Sequence, residues 1–439
     1  MDFTTYLQAS MLAALPEMIE GYEGEKQAGS LSEMEVAVRQ MMQATGNEVL
    51  RQWLEAQEER YPADEQTCEC GQAAQYVRRR EGMTITLLGR VYYRRAYYLC
   101  EHCRQGHYAL DERLGIQPGE MSQEVIKQAA LLGIEDAFEA SSQKLAELTL
   151  LELSPQSIRK ASQVMGERAI AREQQQLEHS QALTSQLEQR RNPHSPQRLY
   201  GSMDGFMVPL EDGWHEMKAG AWWTTTTRKD GTLKAQDISY YVDLLPAEDF
   251  SELVWASGFQ RQADQATELI FVADGAEWIW RIVEHHYPQA VQIVDWYHAC
   301  QYLSPVAQAA FSDKTRQEAW VKAVKALLWE GQLDAVIAAC VQHVRPHLTR
   351  DDDPAQKAVT YYTNNRQRMD YATYRARGYM IGSGSMESGC KQIGFERLKI
   401  AGARWSAEGA RKIAKARAAC LSKEWHALTP QWDALPQAA

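Results

Sequence analysis

The chain has 439 residues, 45% hydrophobic and 24% charged, with 47 Lys and Arg against 58 Asp and Glu for a formal charge of −11. These proportions exclude disordered, collagen-like and mini-protein classes, and at roughly 100 to 200 residues per domain the length allows two to four domains. No window approaches the roughly 18 consecutive apolar residues of a membrane span, and Met1-Asp2 opens no basic leader, so the expectation is a cytoplasmic chain with no membrane partner.

Residues 1–65 carry 13 acids against 4 bases, with apolar residues at helical spacing (Leu7, Leu12, Leu15, Met18, Ile19, then Val36 to Leu54), which predicts an acidic helical region. Residues 66–118 change texture. Four of the eight cysteines gather there as Cys68-Glu69-Cys70 and Cys100-x-x-Cys103, and the 84–88 and 91–99 runs between them are β-branched and aromatic. Two strands between two cysteine pairs predict a zinc ribbon with a structural Zn²⁺. The single residue between Cys68 and Cys70 narrows their reach, and His107 is an alternative to Cys68 as fourth ligand. Seven arginines against two acids over 71–110 make this module basic and offer phosphate contacts.

Residues 119–190 return to helical period. A break at Leu153-Ser154-Pro155, with Ser154 placed as N-cap and Pro155 at the first helical position, predicts a helix-turn-helix-like pair whose second helix carries Arg159 and Lys160. Such a pair serves either DNA binding or plain packing. Pro193 and Pro196 mark a linker at 190–197.

Residues 198–300 alternate strand and helix. Strands are expected at 198–203, 215–227, 238–245, 269–273 and 291–294, leaving Asp204, Asp274 and Asp295 at carboxyl ends, the edge where α/β sheets build sites. Residues 301–378 lose strand character and form an all-α insertion, with Asp313 as a helix cap. Residues 379–424 begin with Gly382-Ser383-Gly384-Ser385, which leads into a helix bearing Glu387 and then a segment with 9 bases against 2 acids over 388–423. The tail, 425–439, suggests no role.

Asp204, Asp274 and Glu387 are the candidate catalytic carboxylates. Acids on neighbouring strands and a nearby helix can hold two Mg²⁺ (or Mn²⁺) ions for phosphoryl transfer, whereas a single Asp-Gly is as well explained by a turn. Lys391, Arg397, Lys399 and Arg404 are candidate phosphate contacts and Trp405 a candidate base-stacking residue, the alternative being a solvated helix face around a core Trp.

The blocks Tyr200-Gly201-Ser202-Met203-Asp204-Gly205, Ala273-Asp274-Gly275-Ala276-Glu277-Trp278-Ile279-Trp280, Asp295-Trp296-Tyr297-His298 and Gly384-Ser385-Met386-Glu387-Ser388, followed by Arg404-Trp405-Ser406, resemble those of DDE transposases of bacterial insertion sequences, of the ISKra type with a Mutator-like core. The resemblance covers roughly 65–420. It implies an RNase H-like α/β core with the helical insertion between the second Asp and the Glu, and 113 residues separate Asp274 from Glu387 here against 70 between Asp204 and Asp274. It also implies metal-assisted hydrolysis at the element's terminal inverted repeats, strand transfer into target DNA, and a homodimer or larger assembly, for which the 1–65 helices are candidates. Asp295 and His298 fall where related enzymes position the scissile phosphate, and a helix cap explains them equally well. A non-transposing RNase H-like nuclease or resolvase, and a domesticated DNA-binding protein without catalysis, are the competing readings.

Overall fold

The computed structural model describes Thr5, Ala9 and Leu12 and residues 30–59, 65–117, 119–189, 195–349 and 351–429. The first half of the acidic N-terminal region, residues 190–194 of the expected linker and most of the tail lie outside the described residues. The chain is a mixed α/β molecule with two sheets, dividing into two compact units, Met1–Met165 and Gly166–Ala439. The division falls inside a helix, upstream of the 190–197 stretch.

In the first unit, helix α1 (Leu31–Glu59) precedes the antiparallel sheet β1 (Glu65–Thr67), β2 (Ala73–Thr86), β3 (Gly89–Cys100) and β4 (Gly106–His107), paired in that order. The β2–β3 hairpin runs from Thr86↔Gly89 to Ala74↔Cys100, so pairing brings Cys100 to the end of the sheet that holds Cys68 and Cys70. Leu54, Val91, Tyr93 and Leu110 form one core, and Cys68, Ala74, Ala96, Tyr98 and Cys100 another around the thiols. Arg95 is buried, ion-paired with Asp111 and lying 3.9 Å over the Tyr108 ring, while the Tyr93 hydroxyl donates to Asp111 at 2.6 Å. That arginine therefore belongs to the core and not to the basic surface, where Arg78, Arg79, Arg90, Arg94 and Arg104 remain exposed.

Helices α2 (Ala109–Leu114), α3 (Gln123–Gly133) and α4 (Phe138–Thr149) follow, and Ser154 caps the next helix by accepting from the Ser157 N–H at 3.1 Å. That helix, α5 (Pro155–Gln181), is one 27-residue element that runs on through Gly166 instead of ending as a short second helix, and Gly166 lets the Lys412 backbone approach closely, since a Cβ there would lie 2.3 Å from the Lys412 carbonyl oxygen. A short α6 (Leu183–Gln189) ends the segment.

The second unit is built on five strands, β5 (Arg198–Leu210), β6 (Gly213–Thr227), β7 (Leu233–Asp243), β8 (Glu268–Ala273) and β9 (Val291–Val294), in the order β7-β6-β5-β8-β9. The first three form an antiparallel meander, and β8 and β9 add in parallel after the crossovers α7 (Ala247–Gln260) and α8 (Glu277–His286). The long aromatic runs bury between layers: Trp222 sits edge-on to Phe271 and Tyr287, and Trp223 stacks on Tyr200. Helices α9 (Trp296–Gln301), α10 (Leu303–Ala310), α11 (Lys314–Trp329), α12 (Leu333–Val341), α13 (Pro354–Asn364) and α14 (Tyr371–Ala376) make the 301–378 region all-helical, with Asp313 capping α11 through the Arg316 N–H at 2.9 Å. The chain closes with α15 (Gly384–Cys390), a wide π turn at Lys391–Leu398 and α16 (Ala407–Leu421). No helix among the described residues is long and apolar enough to cross a membrane.

Candidate active site

Asp204 corrects one expectation. It is not at the end of its strand: β5 continues to Leu210, and Asp204 pairs with Ala219 of β6. The parallel pairing of β5 with β8, however, stops at Gly201↔Phe271, so Asp204 lies just past the point where the two strands part. Asp274 follows the last residue of β8. The crevice of an open sheet is thus formed by an early parting of strands and not by an early strand end.

Burial raises the Asp204 carboxyl above its usual range, the Asp274 charge adds to that rise, and the Gly205 N–H and the His298 ring oppose it. Among the described residues, neither Asp204 nor Asp274 ion-pairs with a Lys or Arg. Asp274 Oδ1 accepts from the Ala276 N–H at 2.9 Å, and its carbonyl accepts from the Tyr361 hydroxyl at 2.7 Å. Gly275 makes this turn with φ +102°, a region a side chain rarely adopts, and a Cβ there would crowd the Tyr361 ring at 3.0 Å.

Glu387 stands exposed in the first turn of α15, its Oε1 3.9 Å from His298 Nε2. Two features bring that helix to the sheet. Gly389 allows contact with the Tyr240 ring, since a Cβ there would lie 2.4 Å from Tyr240 Cε1. Asp295 clamps the segment before it: fully buried, it caps α9 by accepting from the His298 N–H at 2.9 Å, and its Oδ2 accepts from the Ser383 N–H at 2.5 Å and Oγ at 2.9 Å. The Trp296 N–H adds a bond to the Ile381 carbonyl at 2.9 Å. Of the two roles open to Asp295 in the sequence, this geometry is that of a cap and a clamp, with no access to a phosphate. His298, carried by the capped helix, lies 3.9 Å from Glu387 and is near enough to Asp204 for its ring to favour the Asp204 carboxylate.

The C-terminal basic segment divides differently from the expectation. Arg397 is 1% exposed and lies 4.9 Å under the Trp405 ring, so it cannot reach a phosphate at the surface. Trp405, half-buried, is held by its Nε1–H to the Leu398 carbonyl at 3.0 Å and by backbone bonds to Pro209 and Glu211, with the Arg397 guanidinium against its ring. Leu398 is buried whereas Lys391 is exposed, the π turn changing the angular step between them. Arg404 is exposed, and Lys399 sits 3.8 Å from the exposed Phe395 ring. In the first unit Lys160 is already spent on Glu120, 2.6 Å from both oxygens, while Arg159 is exposed.

Sequence reasoning missed Tyr361, Ser383 and Cys390. Cys390 is one helical turn from Glu387, buried, with its S–H directed at Asp204 Oδ2 at 3.6 Å, and i+3 spacing was the available signal. Nothing local marks Tyr361, which reaches Asp274 from 87 residues away.

The four thiols of the first unit form a separate centre. Cys68, Cys70, Cys100 and Cys103 have sulfurs all within 4.8 Å of one another, with Cys68–Cys103 at 3.4 Å and Cys70–Cys100 at 3.7 Å. The Cys103 and His102 N–H groups point at Cys100 and pull its thiol down to about 6. Two turns shape this: Gly71 N–H to the Cys68 carbonyl and Arg104 N–H to the Cys100 carbonyl, both 2.9 Å. His107 Nε2 lies 3.0 Å from Cys68 Sγ, beside the thiol set. Among the described residues this is the group of metal-ligating side chains so closely drawn; the three carboxylates are spread more widely.

The chain belongs to an uncharacterised protein family, UPF0236. The model of that family matches residues 25–427, which takes in the thiol cluster, all three carboxylates and the insertion. No curated protein matches the chain.

Proposed function

We propose that this member of UPF0236 is a DDE-type DNA transposase that hydrolyses phosphodiesters at an element's ends and joins them to target DNA. The observation that carries this is the crevice itself, where two aspartates of like charge, without a basic partner among the described residues, meet a glutamate and a histidine from separate elements. Three antiparallel strands followed by two parallel ones, with the acids on the central strand and its parallel neighbour, support an RNase H-like core. The helical region 301–378, which lies between Asp274 and Glu387 after β9, supports the insertion that the transposase resemblance implies.

The donor set suits a hard cation, since Asp204, Asp274 and Glu387 offer only oxygen, and the repulsion between the aspartates is relieved by positive charge. When bound, divalent ions supply a nucleophile at neutral pH and charge stabilisation on both the attacking and leaving oxygens. The chain's own residues provide the placement. β5 and β8 fix Asp204 and Asp274 on a rigid sheet, Asp295 and Ser383 set where α15 starts, and Glu387, unlike the aspartates, stays exposed at the rim. Cys390 orients one Asp204 oxygen, and His298 stands where it can exchange a proton with Glu387 or contact a phosphate. Lys391, Lys399 and Arg404 offer positive charge on this same C-terminal segment.

The thiol cluster fits a structural Zn²⁺ in a ribbon-like module. Bonds of about 2.3 Å at tetrahedral angles put sulfurs about 3.8 Å apart, near the spacings present, and the narrow Cys68-x-Cys70 pair is accommodated because the turn at Gly71 returns the chain. With exposed Arg78, Arg79, Arg90 and Arg94 it forms a DNA-facing basic surface.

The test is cleavage of DNA carrying the element's ends by purified protein in Mg²⁺, beside Glu387→Gln. Cleavage leaving 3′-hydroxyl ends, reduced on the order of 10³-fold in the variant, supports the proposal. DNA binding with no metal-dependent cleavage overturns it in favour of a non-catalytic DNA-binding protein.

A further inference from the structure

A groove of about 590 Å³ opens beside Asp274, between α8 and the insertion helix α13, with Tyr302 at the end of α9 on its wall. Its size is within the range of small-ligand sites. Gly275 forms one edge, and Tyr302 and Tyr361 line it as a stacked pair with centroids 3.8 Å apart and planes 16° from parallel. Tyr361 is the residue whose hydroxyl holds the Asp274 carbonyl, so the groove wall and the catalytic strand end are one structure. Trp280 also lines it, is 3% exposed, and has an indole N–H with no hydrogen-bond partner among the described residues. Asn364, exposed, adds an amide with both donor and acceptor atoms.

The charge of the lining decides what kind of group this is for. Three acids (Glu277, Glu284, Asp351) stand against three bases (Arg281, Lys357, Arg368), so the groove has no net attraction for a run of phosphates. It offers aromatic faces and hydrogen-bonding edges, the two features by which an unpaired base is held. We infer that this groove holds a single unpaired nucleobase of the DNA strand adjoining the phosphate cleaved at Asp204 and Asp274, its face against the Tyr302–Tyr361 wall and its edge toward Asn364. The inference rests on the phosphoryl-transfer reading above and names the form of the substrate: a duplex end with at least one nucleotide out of the helix. Exposed Lys357 and Arg281 at the mouth then meet the one phosphate attached to that base.

The experiment uses the full chain in Ca²⁺, which holds binding apart from cleavage, and two end duplexes. One is blunt; the other continues into a single-stranded flank whose first unpaired nucleotide is 2-aminopurine. The expected result is quenching of the 2-aminopurine on binding and a roughly tenfold preference for the extended duplex, the range of one stacked base. Asn364→Ala with Lys357→Ala, both surface changes that spare the core, brings that ratio close to one. Equal affinity for both duplexes without quenching, while the protein still cleaves in Mg²⁺, overturns the groove assignment and leaves the transposase reading standing. Failure to bind either duplex overturns both.

Discussion

Replacing Asp295 with alanine removes the acceptor of three hydrogen bonds at once: the cap on α9 and the two from Ser383. An N-cap is worth about 0.5–2 kcal/mol, and each bond to a buried charged acceptor about 1.5–3 kcal/mol. The three share one carboxylate and so do not add fully, which leaves about 3–5 kcal/mol. For a unit of this size that is a fall in Tm of roughly 6–15 °C by differential scanning calorimetry. Asp295→Asn keeps an acceptor for the His298 N–H but turns an NH₂ toward the Ser383 donors, so it falls between the wild type and the alanine variant. A Tm within about 1 °C of wild type, together with lost DNA cleavage, would refute the clamp and return Asp295 to a role in the chemistry.

Three further outcomes follow from the buried charges and thiols. The folded-state pKa of Asp204 is raised, so keeping it ionised costs stability once the pH passes that value, and the cost disappears below the ordinary carboxyl pKa near about 3.9. Asp204→Asn therefore raises the Tm of metal-free protein at pH 7.5, and the gain shrinks to nothing as the pH approaches 4; a gain independent of pH contradicts the assignment. Lys415 is buried between Glu173 of α5 and Asp243, the latter at 2.8 Å, while Arg411 also reaches Asp243 at 2.7 Å. Lys415→Met leaves two buried acids short of a partner and lowers stability by about 3–5 kcal/mol in chemical denaturation, whereas an effect under about 1 kcal/mol would mean the cluster is solvated. Cys100→Ser abolishes one bound Zn²⁺ per chain by elemental analysis and exposes the β2–β3 hairpin to proteolysis; unchanged metal content would remove the zinc assignment.

The sequence shows the strands of the second unit well because their pattern is strong: buried β-branched and aromatic runs end at Asp or Gly, and the 291–294 strand falls where its apolar run does. The acids were legible for the same reason, each following or interrupting such a run. What stayed hidden is what depends on pairing partners far away. β5 runs seven residues beyond Met203 because β6 continues to pair with it after β8 has left, and no local residue says so. Arg397 and Trp405 looked like a surface pair because charge and aromaticity are read one residue at a time; the π turn and the bridge of Trp405 to Leu210 bury the arginine beneath the indole. The Cys68-x-Cys70 spacing looked deficient by count, but ligand distance is set by the fold of two turns and not by residue number.

The most direct test of the account is joining. Purified protein is incubated in Mg²⁺ with end duplexes carrying a free 3′-hydroxyl and a supercoiled plasmid, alongside Asp204→Asn and Glu387→Gln. The account predicts covalent joining of the ends to the plasmid by the wild type and none by either variant, with both variants folded. Nicking of the plasmid without joining would contradict it and identify a nuclease built on the same three carboxylates.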